Sequence, residues 1–274
     1  MHRPPTVSAA LALSGLAPLE SKLLLAHVLG RERAWVAAHG DAPLDSAQAR
    51  AYDTLVRRRA AGEPIAYITG RREFFGLDLE ITPDVLIPRP ETELLVEVAV
   101  RWLPAETPAR VLDLGCGSGA VALAIARQRP SASVVGTDLS PQAIALARRN
   151  AERLAIANAS FLESDWFARV PRERFALLVG NPPYVARNDP HLDEGDVRFE
   201  PKGALVSGSD GLDALRAVVA GAPAYLASGA YLALEHGYDQ AGAVRSLLRE
   251  AGLRTVASER DLAGIVRVSY GRAP

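Results

Sequence analysis

The chain has 274 residues, 49% hydrophobic and 23% charged, with 22 glycines and 19 prolines, a globular composition that excludes a low-complexity, disordered or fibrous protein. Thirty-one basic residues against 32 acidic ones give a formal net charge of −1, and residues 1–83 alone hold 10 and 9, so neither part has the basic excess that grips a duplex by its phosphates. Cys116 is the only cysteine, and the five histidines (His2, His27, His39, His191 and His236) show no paired spacing, which excludes an intrachain disulfide and a Cys-rich zinc site and leads us to expect no metal.

Taken in chain order, residues 4–19 are uncharged and follow His2 and Arg3, as a secretory leader would. Pro4, Pro5 and Pro18 punctuate that stretch, and it runs straight into a helical Glu20–Gly30 segment. We therefore expect a cytoplasmic protein. Leu24 with Val28, and Leu25 with Leu29, keep helical spacing up to Gly30. Asp45 with Gln48 resembles a capping box, opening a helix with Tyr52, Leu55 and Val56 inside and Gly62 as its stop. Arg57, Arg58 and Arg59 would form a solvated last turn favoured by the helix dipole. Ile65–Thr69, Gly70, and then Leu77, Leu79 and Ile81 alternate like a β-hairpin. Ile87-Pro88-Arg89-Pro90 ends it, and a helix follows with Leu95, Val98 and Trp102 on one face.

From Arg110 strands and helices alternate. Strands are expected at Val111–Leu114, Ser133–Thr137, Ala159–Leu162, Ala176–Val179 and Tyr231–Glu235, and helices at Val121–Arg127, Pro141–Leu154, Leu212–Ala220 and Gln240–Ala251. This βαβ rhythm implies a parallel sheet covered on both faces. Thr255–Glu259 and Ile265–Tyr270 would close it as an antiparallel pair around Gly264. Ala217–Leu234 is uncharged over 18 residues, but Pro223 and a Ser228-Gly229 turn divide it into a helix end and a strand, so we expect no membrane span.

The chemistry gathers at strand ends. Asp113-Leu-Gly115-Cys116-Gly117-Ser118-Gly119 lies where the first strand of this series meets its helix, with glycines for close backbone approach and a helix N-terminus for unpaired donors. Asp138 closes the next strand, where a carboxylate can accept from both ribose hydroxyls of a nucleoside. Asp165-Trp166 adds an acceptor and an aromatic face suited to adenine. These residues alone leave a dinucleotide site open, because Gly115-x-Gly117-x-x-Ala120 satisfies that fingerprint. An acidic strand end before such a loop also resembles the site that holds the methionine part of S-adenosylmethionine in methyltransferases. Asn181-Pro182-Pro183-Tyr184 then ends the fourth strand. Its two prolines fix the backbone and remove two donors. The Asn181 amide oxygen and the Pro182 carbonyl can accept both hydrogens of one –NH2 group, with the Tyr184 ring beside its plane. A planar amide or aromatic amine is the target that fits.

Asn181-Pro182-Pro183-Tyr184 resembles the motif shared by DNA adenine-N6 and protein glutamine-N5 methyltransferases. Gly62–Gly70, Arg72-Glu-Phe74, Leu86–Glu93, Asp165-Trp-Phe167, Val197–Pro201, Asp210-Gly-Leu212 and Glu235-His-Gly237 resemble the bacterial release factor glutamine methyltransferases over nearly the whole chain. The resemblance implies a class I fold: a seven-stranded, mostly parallel, doubly wound α/β sheet with a small all-helical N-terminal domain. It implies domains at 1–62 (helical, reading the substrate), 63–88 (hairpin linker) and 89–274 (catalytic). It further implies S-adenosylmethionine as cofactor, S-adenosylhomocysteine as product, and the glutamine of the Gly-Gly-Gln motif of class 1 peptide chain release factors as the methylated group. Gly115, Cys116, Gly117, Ser118, Gly119, Asp138, Asp165, Trp166 and Asn181 would hold the cofactor. Asn181, Pro182, Pro183 and Tyr184 would hold the substrate, with Asn181, Pro182 and Tyr184 catalytic. Cys116 has no adjacent base and is expected to pack rather than react. We expect a monomer with a protein partner, no direct nucleic-acid contact and no membrane. The alternatives are a ribosomal-protein glutamine methyltransferase, a DNA adenine-N6 enzyme, for which no basic recognition region exists, and an idle cofactor-binding adaptor, which would have no use for Asn181.

Overall fold

The computed structural model describes residues 5–274; the His2–Pro4 start of the leader-like stretch lies outside them. The chain divides into two compact units, one running to Arg71 and including residues 193–199, the other formed by residues 72–192 and 200–274. The first unit is helical. It contains α1 (Val7–Leu13), α2 (Pro18–Leu29), α3 (Arg33–Ala38), α4 (Ser46–Ala60) and α5 (Ile65–Thr69). Val7, Leu24, Leu25, Val36, Leu44, Tyr52 and Ile68 are its core. Asp45 and Gln48 form the reciprocal capping box at the start of α4, a device worth about 1 kcal/mol.

Two expectations fail here. Ile65–Thr69 is a helix, not a strand: Pro64 starts it and Gly70 ends it in the left-handed conformation. Its β-branched residues imitate a strand, but a single buried turn between two breakers decides the matter. The hairpin instead joins β1 (Arg71–Phe74) to β2 (Leu77–Glu80) through Phe75 and Gly76, which leaves Ile81 outside the strand. The arginine run is also more than a solvated turn. Only Arg57 is fully exposed, whereas Arg59 is partly buried and pairs with Glu20 and Asp196 at 2.8 Å each.

The second unit continues with α6 (Glu93–Trp102), β3 (Ala109–Leu114), α7 (Ala120–Gln128), β4 (Ala132–Asp138), α8 (Pro141–Arg153), β5 (Ala159–Glu163), β6 (Phe175–Gly180), α9 (Asp213–Gly221), β7 (Leu226–Glu235), α10 (Ala241–Glu250), β8 (Arg254–Arg260) and β9 (Val266–Arg272). The strands form the expected seven-stranded sheet in the order β5-β4-β3-β6-β7-β9-β8. All pairs are parallel except those of β9 with β7 and β8. Apolar runs such as Val111-Leu112 and Leu177–Val179 are fully buried because helices cover both faces. Ser228-Gly229 is not a turn but part of β7, where the pairing with β6 shifts register. From Arg72 onward the β1–β2 hairpin falls within this second unit. Buried Asn150 of α8 fixes it, bonding both the amide and the carbonyl of Glu80 and also the Ser118 carbonyl of the glycine loop. No helix among the described residues is long and apolar enough to cross a membrane.

Candidate active site

The chain runs outward from β3 to β5, then returns to β6 beside β3. The reversal opens a crevice at the carboxyl ends of β3 and β6, the usual ligand position in such sheets. A cavity of about 450 Å³ lies there, lined by the glycine loop, the end of β4, the Ser164–Trp166 turn, Asn181 and Pro183, and the segments around Val85–Thr92 and Pro201–Ala204. That volume suits a nucleoside-sized ligand.

The glycine loop is held by its own backbone. Gly115 and Cys116 both donate to the Thr137 carbonyl at 2.8 Å, and Gly119 donates to the Cys116 carbonyl at 2.8 Å. Gly119 has φ +83°, and a Cβ there would meet Ala147 and Phe161 at 3.1 Å, so an L side chain would be strained by conformation and crowded in space. Gly117 opens onto free space instead. Asp113, almost wholly buried, accepts from the Ala122 amide at 3.0 Å and clasps the loop to the first turn of α7. Burial raises its carboxyl to about 7, the negative charge of Asp138 adding to the effect. Burial likewise pushes the Cys116 thiol far up, leaving it neutral and packed, as a non-nucleophile should be.

Asp138 accepts from the amides of Gly117 and Ser140 at 2.9 Å each. Burial raises its pKa against those bonds, and each oxygen keeps a lone pair for a hydroxyl. Trp166 has φ +44°, and its ring lies 3.6 Å from where a Gly115 Cβ would be; the Ser164 hydroxyl braces this turn by donating to the Trp166 carbonyl and accepting from the Arg169 amide. Asp165 is exposed at the cavity rim. Leu139, 70% exposed beside Asp138, also faces the cavity. Sequence reasoning passed over it because an apolar residue after a strand suggests nothing by type.

Asn181 turns its Nδ2 to the Thr92 hydroxyl at 3.2 Å. Its Oδ1 accepts no hydrogen bond from the described residues. Asn181 and Pro183 line the cavity, next to Pro182 and Tyr184 in the same loop. The Tyr184 ring packs on the sheet core, and its hydroxyl donates to Glu235 at 3.2 Å. Burial raises the Tyr184 hydroxyl well above its ordinary pKa, and the Glu235 charge adds to that. The Arg89–Thr92 segment also gains a structural account: Arg89 pairs at 2.5 Å with the buried Glu200, whose neighbours Pro201, Gly203 and Ala204 line the cavity as well. Among the described residues no group of His, Cys, Asp and Glu could hold a metal ion.

Comparison with known proteins places the chain. Residues 6–70 match the family model described as PrmC N-terminal domain, and residues 91–196 that of the methyltransferase small domain. The release factor glutamine methyltransferase of Burkholderia pseudomallei is 54% identical over 99% of this chain and 97% of that protein. The chain belongs to the release factor glutamine methyltransferase family. The family's Bordetella pertussis protein is 53% identical over 95% of this chain and 97% of that one. Beyond the family, the 16S rRNA N2 G1207 methyltransferase of T. thermophilus, solved with AdoMet and guanosine, shares the fold: TM-score 0.55, 24% identity, covering 74% of this chain and 50% of that one.

Proposed function

We propose that this protein methylates the side-chain amide nitrogen of the glutamine in the Gly-Gly-Gln motif of class 1 peptide chain release factors, using S-adenosylmethionine. Membership in a family whose relatives are named for that activity supports the reading. One observation carries the chemistry: the amide of Asn181 has its donor end committed to Thr92 and its acceptor end free at the cavity.

The cavity fits the cofactor on grounds of its own chemistry. Asp138 would take the ribose hydroxyls, Trp166 and Leu139 the adenine faces, and the open backbone at Gly117 the methionine part. Bound S-adenosylmethionine supplies an electrophilic sulfonium methyl group. The residues of the chain supply orientation. A glutamine amide nitrogen is weakly nucleophilic because its lone pair is delocalised, so alignment is the main catalytic device. Asn181 Oδ1 and the Pro182 carbonyl would accept the two N–H bonds and aim the lone pair. The amide becomes acidic once alkylated and gives up its proton after transfer, which removes the need for a strong general base. Tyr184 acts from behind, fixing the loop through Glu235 rather than facing the substrate plane. The helical unit would grip the release factor.

The test incubates the protein with labelled S-adenosylmethionine and, separately, a full-length release factor, a ribosomal protein and duplex DNA. Label on the release factor alone, lost when its motif glutamine becomes alanine, is the expected result. Label on DNA contradicts the reading, and label on the ribosomal protein alone replaces its substrate.

A further inference from the structure

Tyr184 closes the Asn181–Tyr184 loop, and the short turn from β7 into α10 holds it at both ends. Its hydroxyl donates to Glu235, the last residue of β7. Its carbonyl accepts from Nε2 of Gln240, the residue before α10, at 2.9 Å. The orientation of the Gln240 amide is set by its partners. Oε1 accepts at 2.9 Å from the amide of Gly237, which can only donate, and Nε2 faces the Tyr184 carbonyl, which can only accept. Nε2 also reaches the Asp210 carbonyl at 3.5 Å. The junction is tight: Gly211 has φ +76°, and a Cβ there would overlap the Tyr184 carbonyl oxygen and stand 2.7 Å from Gln240 Nε2. Three loops, after β6, before α9 and after β7, therefore meet at one glutamine amide.

This junction bears on the reacting end of the loop. The Asn181 amide and the Pro182 carbonyl can serve as a pair of acceptors only while both point into the same space. Asn181 is steadied by Thr92 and by Gly180 before it, which pairs with Leu114 in the sheet. The direction of the Pro182 carbonyl is set by the backbone torsions around it. The rings of Pro182 and Pro183 fix two φ angles, so few torsions are left free before the peptide that joins Tyr184 to Val185. Gln240 holds the oxygen of that peptide, and the Leu205 carbonyl accepts from its N–H at 2.8 Å. Pinned on both edges, the peptide resists rotation, and the carbonyl two residues upstream keeps its aim.

We propose that Gln240 is a positioning residue for methyl transfer: by holding the Tyr184 carbonyl, it keeps the Pro182 carbonyl beside Asn181 Oδ1 as the second acceptor for the substrate amide. The proposal rests on the acceptor-pair reading given above. The partners of Gln240 lie outside the glycine loop and Asp138, so its loss strikes rate and spares cofactor binding.

The experiment compares two variants with the parent at pH 8. Gln240→Met keeps an unbranched side chain and loses both hydrogen bonds. Gln240→Glu, ionised at that pH, keeps the acceptor for Gly237 and loses the donor to Tyr184. The measurements are kcat and KM on the release factor, calorimetric affinity for S-adenosylmethionine, Tm, and hydrogen exchange in peptides spanning residues 181–187 and 113–119. The expected result is a kcat about 5–100-fold lower in both variants, with cofactor affinity within about twofold. Exchange is faster than in the parent at 181–187 and the same at 113–119. A kcat within about fivefold of the parent in either variant overturns the inference. So does a loss of cofactor affinity as large as the loss of rate, or unchanged exchange at 181–187. If Gln240→Met lowers Tm, the Gln240→Glu protein and the exchange contrast decide. A parent that transfers nothing to the release factor overturns the functional reading instead, and the exchange contrast then tests the hold on Tyr184 by itself.

Discussion

The loop after β3 and the loop after β6 leave adjacent strands and face one cavity, yet they are built differently. The glycine loop is held by backbone: its amides bond the Thr137 and Cys116 carbonyls and the Asp138 carboxylate. The Asn181–Tyr184 loop works through side chains whose partners, Thr92 and Glu235, come from distant parts of the chain. A binding surface made of backbone amides tolerates no side chain where space is closed. A catalytic surface made of one amide group depends instead on which way that group faces. Binding and rate should therefore respond to different substitutions.

The largest effect expected is on rate. Asn181→Ala removes the acceptor, and kcat should fall about 10²–10³-fold, with S-adenosylmethionine affinity by calorimetry near that of the parent. A comparable loss of affinity would erase the distinction between the loops. Next comes Gly119→Ala, which places a Cβ at 3.1 Å from Ala147 and Phe161 with φ +83°. It should cost about 2 kcal/mol or more in urea unfolding, against about 1 kcal/mol for Gly117→Ala, where the new methyl meets free space. Equal costs would mean that the loop is not packed as described. Asp138→Asn replaces an acceptor already bonded by Gly117 and Ser140, and cofactor affinity should weaken about tenfold with kcat at saturation little changed.

The most gradual effect is a pH slope. Burial holds Asp113 at about 7 in the folded protein, above its unfolded value, so folding takes up a proton between the two. Its contribution is present at low pH and is lost as pH rises toward about 7. Asp113→Asn keeps an acceptor for Ala122, and between pH 5 and 8 its unfolding free energy from urea melts should fall less steeply than that of the parent, by about 2–3 kcal/mol. Glu235, also raised to about 7 by burial, leaves a remaining slope in that variant.

The same contrast explains what was readable before the fold was known. The glycine loop, Asp138 and the alternation of strands with helices are local: a strand end, a tight turn and a helix start each demand a residue type at a fixed spacing. Ile65–Thr69 misled because five residues are too few for periodicity to separate a buried helical turn from a strand. Arg59 reads as a surface group because its partners Glu20 and Asp196 stand 39 and 137 residues away. Thr92 and Glu235 stand only inside family-like segments, with no hint in the sequence that they bond Asn181 and Tyr184. Leu139 and the Arg89–Glu200 pair belong with them, since cavity walls assembled from separate segments leave no local pattern.

The central claim is that the amide oxygen of Asn181 aligns a release-factor glutamine for methylation. Fragmentation mass spectrometry of the Gly-Gly-Gln peptide, after reaction with the parent and with Asn181→Ala, tests it directly. The account predicts one added methyl group on the glutamine side chain with the parent and almost none with the variant. A methyl group on any other residue, or equal modification by both proteins, would contradict it.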